Sequence, residues 1–408
     1  MKLQLSGPPS NLLQSDIKIT GSKSESNRLL LLQALYPNIK IENISNSDDA
    51  DAMKDGLAKH NGVVDIHHAG TAMRFLTAFF ATNDYREVVL TGSGRMQERP
   101  IKILVEALRH LGANIEYVKN EGYPPIKIKG RLLKASKVSL PANISSQYIS
   151  ALLLVAPGLE NGLELELIGE ITSVPYIKMT LSLLDALEVE NSFIENHIKV
   201  KPKPLVDDIK VVVESDWSSA SYFYSIAALS DLGSKIKLSA YKKDSLQGDS
   251  VLAQLYEDFG VETRFADSTI TLSKNSKHKA SVNYDLTNAP DIAQTIVVSC
   301  FGLGIGCYLS GLHTLKIKET DRLVALQTEL SKLGAKLEVT NNSLTLEPGG
   351  DILKDKAIDT YNDHRMAMAF APLAMRTTLQ INDAEVVSKS YPDFWGDLKR
   401  LQFAIKDC

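Results

Sequence analysis

The feature that most constrains this chain is an internal repeat. Leu104 to Glu116 reads as an amphipathic helix, a stop at Gly112 and a strand. Val251 to Glu262 repeats this around Gly260, and Leu323 to Glu338 around Gly334. Leu181 to Glu190 is a further copy with Glu188 in the glycine place, and Met53 to Val64 another that stops at Gly62. A glycine in that place serves as the left-handed residue that ends a helix before a strand. Successive stops lie 50, 76, 72 and 74 residues apart, so a unit of a little over seventy residues recurs, with one shortened copy near the N-terminus. Each unit mixes strands and helices, so the class is α/β or α+β. The units are too long for a solenoid, and 408 residues are too many for one ordinary core, so two lobes of a few units each are expected.

Helix starts carry the chemistry. Gly21-Ser22-Lys23-Ser24-Glu25-Ser26-Asn27-Arg28 follows an alternating run, Ile17 to Thr20, that reads as a strand, and precedes a Leu-rich helix. Ser22 and Glu25 have capping-box spacing, which starts the helix at Ser22 and puts Lys23 and Ser24 in a first turn with free backbone N–H groups. That is a ready anion site, although the same residues also suit a plain capped helix with solvated charges. Similar starts occur at Gly70-Thr71, Ser145-Ser146-Gln147, Asp216 to Ser219, Pro290-Asp291 and Tyr361 to Arg365. If the units share an orientation, these positive ends favour a ligand with more than one negative group. Arg95 to Pro100 and Lys316 to Arg322 add charge just before helices, and the segment around Lys389 adds charge near the C-terminus. Taken singly, each also reads as a solvated face.

A net charge of −4 argues against a nucleic-acid partner. Cys300, Cys307 and Cys408 have no metal-ligand spacing and point to a reducing compartment. The N-terminus has no secretory pattern, and the apolar run Ile296 to Leu309 is too short and glycine-broken to span a bilayer, so a cytoplasmic location is expected. Asp65, His67 and His68 do not read as a metal site, because adjacent strand residues face opposite ways. His364 reads as a base or, equally, as a structural hydrogen-bonder.

Nine motifs in order, each weak alone, carry a resemblance. They are Gly21 to Arg28, Ser47-Asp48-Asp49, Ala69 to Arg74, Arg95 to Pro100, Ser145 to Gln147, Ser218 to Phe223, Lys318 to Arg322, Asn362 to Met368 and the Lys389 segment. With them the chain resembles the EPSP synthases, the 3-phosphoshikimate 1-carboxyvinyltransferases, over nearly its whole length. The resemblance implies a two-lobed α/β (α+β) fold, each lobe of three β-α-β-α-β-β units around a central cleft. One lobe would take residues 1–20 and 215–408, the other 21–214, with one unit trimmed near 49–70. It also implies transfer of the enolpyruvyl group of phosphoenolpyruvate to the 5-hydroxyl of shikimate 3-phosphate, by a monomer with no metal and no organic cofactor.

By the same likeness Asp291 is the base for the hydroxyl, Glu319 the proton carrier for the methylene carbon, and Lys23 assists the leaving phosphate. Phosphoenolpyruvate would be held by Lys23, Gly70, Arg99, Gln147, Arg322, Arg365 and Lys389. Shikimate 3-phosphate would be held by Lys23, Ser24, Arg28, Ser145, Ser146, Ser173, Tyr176, Asp291, Thr314 and Lys318. Four positions depart from the family's usual pattern: His68 stands for Asn, Phe75 for Pro, Val174 for Lys and Thr314 for Asn.

Two rivals come from other readings of the same residues. The enolpyruvyl transferases that act on UDP-N-acetylglucosamine use a different first motif and a reactive loop cysteine, whereas Cys300 and Cys307 lie in an apolar run. A P-loop needs G-x-x-x-x-G-K-[ST], but Ser22 separates Gly21 from Lys23 and Asp16 occupies the first glycine place. A non-catalytic anion-binding relic of the fold is disfavoured by the presence of Asp291, Glu319, Lys23 and Arg322.

Overall fold

The helix Lys102–His110 ends in a turn that recurs through the molecule. Gly112 takes φ +107°, and Ala113 N–H reaches back to Leu108 C=O at 2.9 Å before strand Asn114–Tyr117 begins. This six-to-one bond is the Schellman closure, which satisfies a carbonyl the helix leaves open. It recurs as Val189 to Leu184 at 2.9 Å and Ala335 to Leu330 at 3.0 Å. A further copy closes the helix Phe394–Arg400 with Phe403 N–H on Leu398 C=O at 3.1 Å. Its left-handed residue is Gln402 and that of the Leu187 turn is Glu188, so neither is marked by a glycine.

The computed structural model describes residues 1–143, 145–171 and 174–408. Its contacts divide the chain into one unit of Met1–Thr20 with Glu214–Cys408 and another of Gly21–Val213. Each has its own apolar core, around Trp217, Tyr256 and Phe370 in the first and around Leu29, Phe75 and Leu152 in the second. Each core surrounds central helices: every residue of Trp217–Leu229 is buried, as is all of Gly70–Thr82 except its last residue. A helix that is apolar all round requires protein on every side.

Among the described residues, each unit contains three sheets. In a typical one, Asn61–Asp65 runs parallel to Glu87–Thr91, with the helix Gly70–Thr82 as crossover. Ile126–Lys129 then pairs antiparallel with Glu87–Thr91, and Asn114–Tyr117 antiparallel with Ile126–Lys129. A parallel pair plus a hairpin is the α/β unit that the seventy-residue period implied. The N-terminal strand Leu3–Ser6 lies between Leu379–Ile381 and the C-terminal strand Ala404–Asp407, antiparallel to both, so the two chain ends share one sheet.

One sheet has only two strands, Ile39–Glu42 parallel to Ile209–Val212. After it, the helix Asp48–Ala58 leads directly into Asn61–Asp65 of the next sheet, with no hairpin between. Here the expected glycine stop is corrected. The helix ends at Lys59 in extended backbone, φ −79° and ψ 134°, and Gly62 lies inside the following strand. Gly62 does take a positive φ, +90°, but within the strand and not at the helix end.

Two other expectations are revised. The strand before Gly21 is Gln14–Ile17, ending where the alternating run begins. The Val251 copy is not a regular helix but one α turn, Leu252–Leu255, between two 3₁₀ turns. Among the described residues, no helix is long and apolar enough to cross a membrane.

Candidate active site

In the first unit, the residues expected to act converge on one guanidinium. Arg322 opens the helix Arg322–Lys332, which Asp321 caps by accepting from Val324 N–H. It donates from Nη1 to Asp291 Oδ1 at 2.8 Å, from Nη2 to Glu319 Oε2 at 2.9 Å and from Nε to Asp363 Oδ2 at 2.7 Å. Its side chain is only 2% exposed. Burial would lower its pKa, but Asp363, Glu319 and Asp291 outweigh that and hold it above the ordinary arginine value.

Asp291 sits in a 3₁₀ turn, Pro290–Ile292, at the entry to the buried helix Ala293–Leu303. Arg365 Nη2 donates to its Oδ2 at 3.2 Å, and Lys318 Nζ lies 3.5 Å from its Oδ1. Burial pushes this carboxyl up, yet Arg365, Lys318 and Arg322 together hold it well below the usual carboxylate range. Glu319 also pairs with Lys389, Nζ to Oε1 at 3.0 Å. Asp291, Lys318, Glu319, Arg322, Arg365 and Lys389 are therefore assembled in one cluster. Thr314 lies in the preceding turn, His313–Ile317, with a buried Oγ1 that has no hydrogen-bond partner.

Asp363 has no role in the reading of the sequence, yet it is fully buried at the centre of this cluster. It caps the helix His364–Phe370 and receives Arg322. Two successive left-handed residues, Tyr361 at φ +54° and Asn362 at +55°, turn the chain into it. Such backbone costs about 1–3 kcal/mol per residue and persists only where neighbours enforce it. Here buried Glu329 does so, accepting from Tyr361 Oη at 2.5 Å and from Asp359 N–H at 3.1 Å. The position of Asp363 inside Asn362 to Met368 was the available signal.

The second unit presents cations with fewer counter-ions. Ser22 caps the helix Lys23–Leu35, its hydroxyl accepting from Glu25 N–H at 3.5 Å, as its spacing suggested. Lys23 pairs with Asp49, Nζ to Oδ2 at 3.2 Å, while the other oxygen of Asp49 is buried without a partner. Arg28, Arg74 and Arg99 form no ion pair among the described residues. Arg28 is buried, which lowers its pKa to about 10. It donates to Thr180 Oγ1, Ser150 Oγ and the carbonyls of Ser24 and Tyr176, so four of its five N–H groups tie three helices together. Its Cζ lies 5.4 Å from the ring centroid of Phe75 and 6.0 Å from that of Tyr176. Phe75, unusual for its place, thus faces a guanidinium within cation–π range.

Gly70 begins its helix beneath Arg99: a Cβ built there would lie 2.6 Å from Arg99 Nη1. Arg74, buried on the same helix, donates to the carbonyls of Gly70 and Pro100, and burial followed by repulsion from Arg99 lowers its pKa to about 10. Gln147 donates to Thr71 Oγ1 at 3.2 Å, and Ser145 caps the helix Ser146–Val155. Ser24 is half-buried, Ser145 exposed and Ser146 buried. Ser173 lies outside the described residues. His68 is exposed, with Nε2 4.0 Å from Asp48 Oδ2. Among the described residues no three His, Cys, Asp or Glu side chains are grouped to hold a metal. Cys300 and Cys307 are buried, and burial pushes the Cys300 thiol up.

Chemically, the first unit offers carboxylates whose charge is held by cations an anionic ligand can take over. The second offers guanidinium and ammonium groups at helix starts. The first set suits acid–base chemistry, and the second suits the binding of a small polyanion.

Comparison with known proteins agrees. A family model described as EPSP synthase (3-phosphoshikimate 1-carboxyvinyltransferase) matches residues 57–398. A 3-phosphoshikimate 1-carboxyvinyltransferase of Bacteroides fragilis is 46% identical, over 100% of this chain and 99% of that protein. One from Haemophilus influenzae is 35% identical, over 96% of this chain and 98% of its own length. The solved EPSP synthase of Acinetobacter baumannii shares the fold, with TM-score 0.82 at 20% identity and 100% of both chains covered. The chain belongs to the EPSP synthase family.

Proposed function

We propose that this chain transfers the enolpyruvyl group of phosphoenolpyruvate to the 5-hydroxyl of shikimate 3-phosphate, releasing phosphate, as a cytoplasmic monomer in aromatic amino-acid biosynthesis. The observation that carries this reading is the Arg322 cluster. One buried arginine and three further cations grip the two carboxylates that the reaction needs as proton carriers.

The steps balance as an addition followed by an elimination. Asp291 takes the proton of the 5-hydroxyl as that oxygen bonds to C2 of phosphoenolpyruvate, while Glu319 delivers a proton to C3. The tetrahedral intermediate then loses a proton from C3 back to Glu319. Its C2–O bond to phosphate breaks, with Lys23 neutralising the leaving group. Phosphate carries away the proton that Asp291 took up.

The electrostatics explain when this starts. With Lys318, Arg322 and Arg365 against it, Asp291 is a weak base. Phosphoenolpyruvate brings a carboxylate and a phosphate that draw on Arg322, Arg365 and Lys389, together with Lys23, Arg99, Gln147 and the backbone at Gly70. As these cations turn to the ligand, the Asp291 carboxyl becomes more basic, and Glu319 loses the ion pairs with Arg322 and Lys389 that favour its charged form. Substrate loading thus activates the proton carriers. Shikimate 3-phosphate would take Ser24, Arg28, Ser145, Ser146, Ser173, Tyr176, Lys318 and Thr314, whose buried hydroxyl has no hydrogen-bond partner among the described residues. Arg28 has one uncommitted N–H to offer this ligand.

Calorimetric titration tests the substrate assignment. Shikimate 3-phosphate should bind the wild-type protein and tighten the binding of phosphoenolpyruvate. Heat from UDP-N-acetylglucosamine instead would replace this reading with its nearest rival.

A further inference from the structure

Asp249 lies outside every group considered above. It is 6% exposed, in the turn Gly248–Val251, and its carboxylate has no cation in salt-bridge contact among the described residues. A buried carboxylate without a cation is costly, and hydrogen bonding offsets only part of that cost. Burial and the nearby charge of Asp291 push its pKa up to about 6. Among the described residues its hydrogen-bond partner is Ser218, whose hydroxyl donates to Asp249 Oδ2. Ser218, on the helix Trp217–Leu229, is in turn 3.2 Å from Arg365 Nη2, the same nitrogen that reaches Asp291 Oδ2 at 3.2 Å.

The direction of these bonds is decided by proton count. A serine hydroxyl has one proton and two lone pairs. Once the proton is committed to a carboxylate, the oxygen can present only lone pairs to Arg365, which can only donate. Without Asp249 the hydroxyl is free to rotate and aim its proton elsewhere, including towards the guanidinium.

We propose that Asp249 is a positioning residue that, by fixing Ser218 as an acceptor, holds Arg365 against Asp291 in the orientation that receives phosphoenolpyruvate. This rests on assigning Arg365 to phosphoenolpyruvate. It predicts that Asp249 acts only through Ser218, and on binding more than on chemistry.

The test is a double-mutant cycle in steady-state kinetics. Asp249→Ala and Ser218→Ala should each raise the KM for phosphoenolpyruvate about tenfold, the worth of one hydrogen bond, with kcat changed less than about threefold. The double variant should show about the same tenfold, not a hundredfold. Asp249→Asn, which restores an acceptor for Ser218, should recover most of the KM. Multiplying single effects, or kcat loss without a KM change, would overturn the proposal. If Asp249→Ala fails to fold, Ser218→Ala and Asp249→Asn still decide it, since an Asn variant as impaired as Ser218→Ala also counts against it. Absence of turnover in the wild-type protein would count instead against the substrate assignment. In that event crystals of Ser218→Ala or Asp249→Ala test the relay without substrate: Arg365 turned from Asp291 supports it, and Arg365 unmoved contradicts it.

Discussion

Arg322 Nη1 donates to Asp291 Oδ1 at 2.8 Å, and in the proposed mechanism this contact would tie the strength of the base to the occupancy of the anion site. Arg322 also holds Glu319 and Asp363, so it is the common counter-ion of three carboxylates.

Replacing Arg322 should therefore do more than weaken substrate binding. Arg322→Ala leaves fully buried Asp363 without its cation, a loss of about 3–5 kcal/mol by the usual cost of breaking a buried pair. Arg322→Lys keeps the charge but cannot span three acceptors in a planar fork. Chemical denaturation should show both variants destabilised, Ala more than Lys, and both should lose at least ~10²-fold in turnover. A Lys variant with wild-type stability and turnover would remove Arg322 from the centre of the account.

Asp291→Asn should retain substrate binding while losing ~10²-fold or more in turnover, the scale of general acid–base catalysis. Single-turnover measurements with both ligands bound separate the two. Wild-type turnover in this variant would exclude Asp291 as the base.

Two buried carboxylates titrate with opposite sign. The pKa of Asp291 is lower folded than unfolded, so its stabilisation is present above about pH 4 and lost as the pH falls through its folded value. Asp291→Asn should accordingly be less stable than wild type at pH 7, with the gap narrowing below pH ~4. Asp249 runs the other way, from an ordinary 3.8 to about 6, so it favours the folded state at low pH and loses that as pH rises through about 6. Asp249→Asn should gain on wild type as the pH rises from about 4 to about 6 and keep that margin above it, by about 3 kcal/mol at most. Melting temperatures of the three proteins from about pH 2 to pH 8 check both signs.

Gly70→Ala puts a methyl group 2.6 Å from Arg99 Nη1, the movable end of a flexible side chain. The helix should tolerate it, because alanine is the better helix former, and Arg99 should be displaced. A KM for phosphoenolpyruvate raised about tenfold, with melting temperature nearly unchanged, is the expected pair of results for one lost charge-assisted bond. Unfolding without a KM effect in the remaining folded fraction would assign Gly70 to packing instead.

Much of this was legible in the chain itself. The repeat period implied several α/β units, because the residue ending a helix before a returning strand must be left-handed and glycine marks it. The mark failed where other residues took that conformation. Gln402 closes a unit that no glycine announced, and Gly62 looked like a stop but lies in a strand. The cluster around Arg322 was foreshadowed because Lys318 to Arg322 and Asp291 sit at helix starts. Asp249 was not, because nothing local separates a buried carboxylate in a turn from the exposed aspartates that turns normally carry. Its significance comes from Ser218, 31 residues away in sequence.

The central claim is most directly tested by following phosphate release when the protein meets shikimate 3-phosphate and phosphoenolpyruvate, with the organic product identified by mass. One phosphate released for each enolpyruvyl group transferred to shikimate 3-phosphate, and none with either substrate alone, is the predicted result. Release that requires UDP-N-acetylglucosamine in place of shikimate 3-phosphate, or phosphate freed with no enolpyruvyl product, would contradict it.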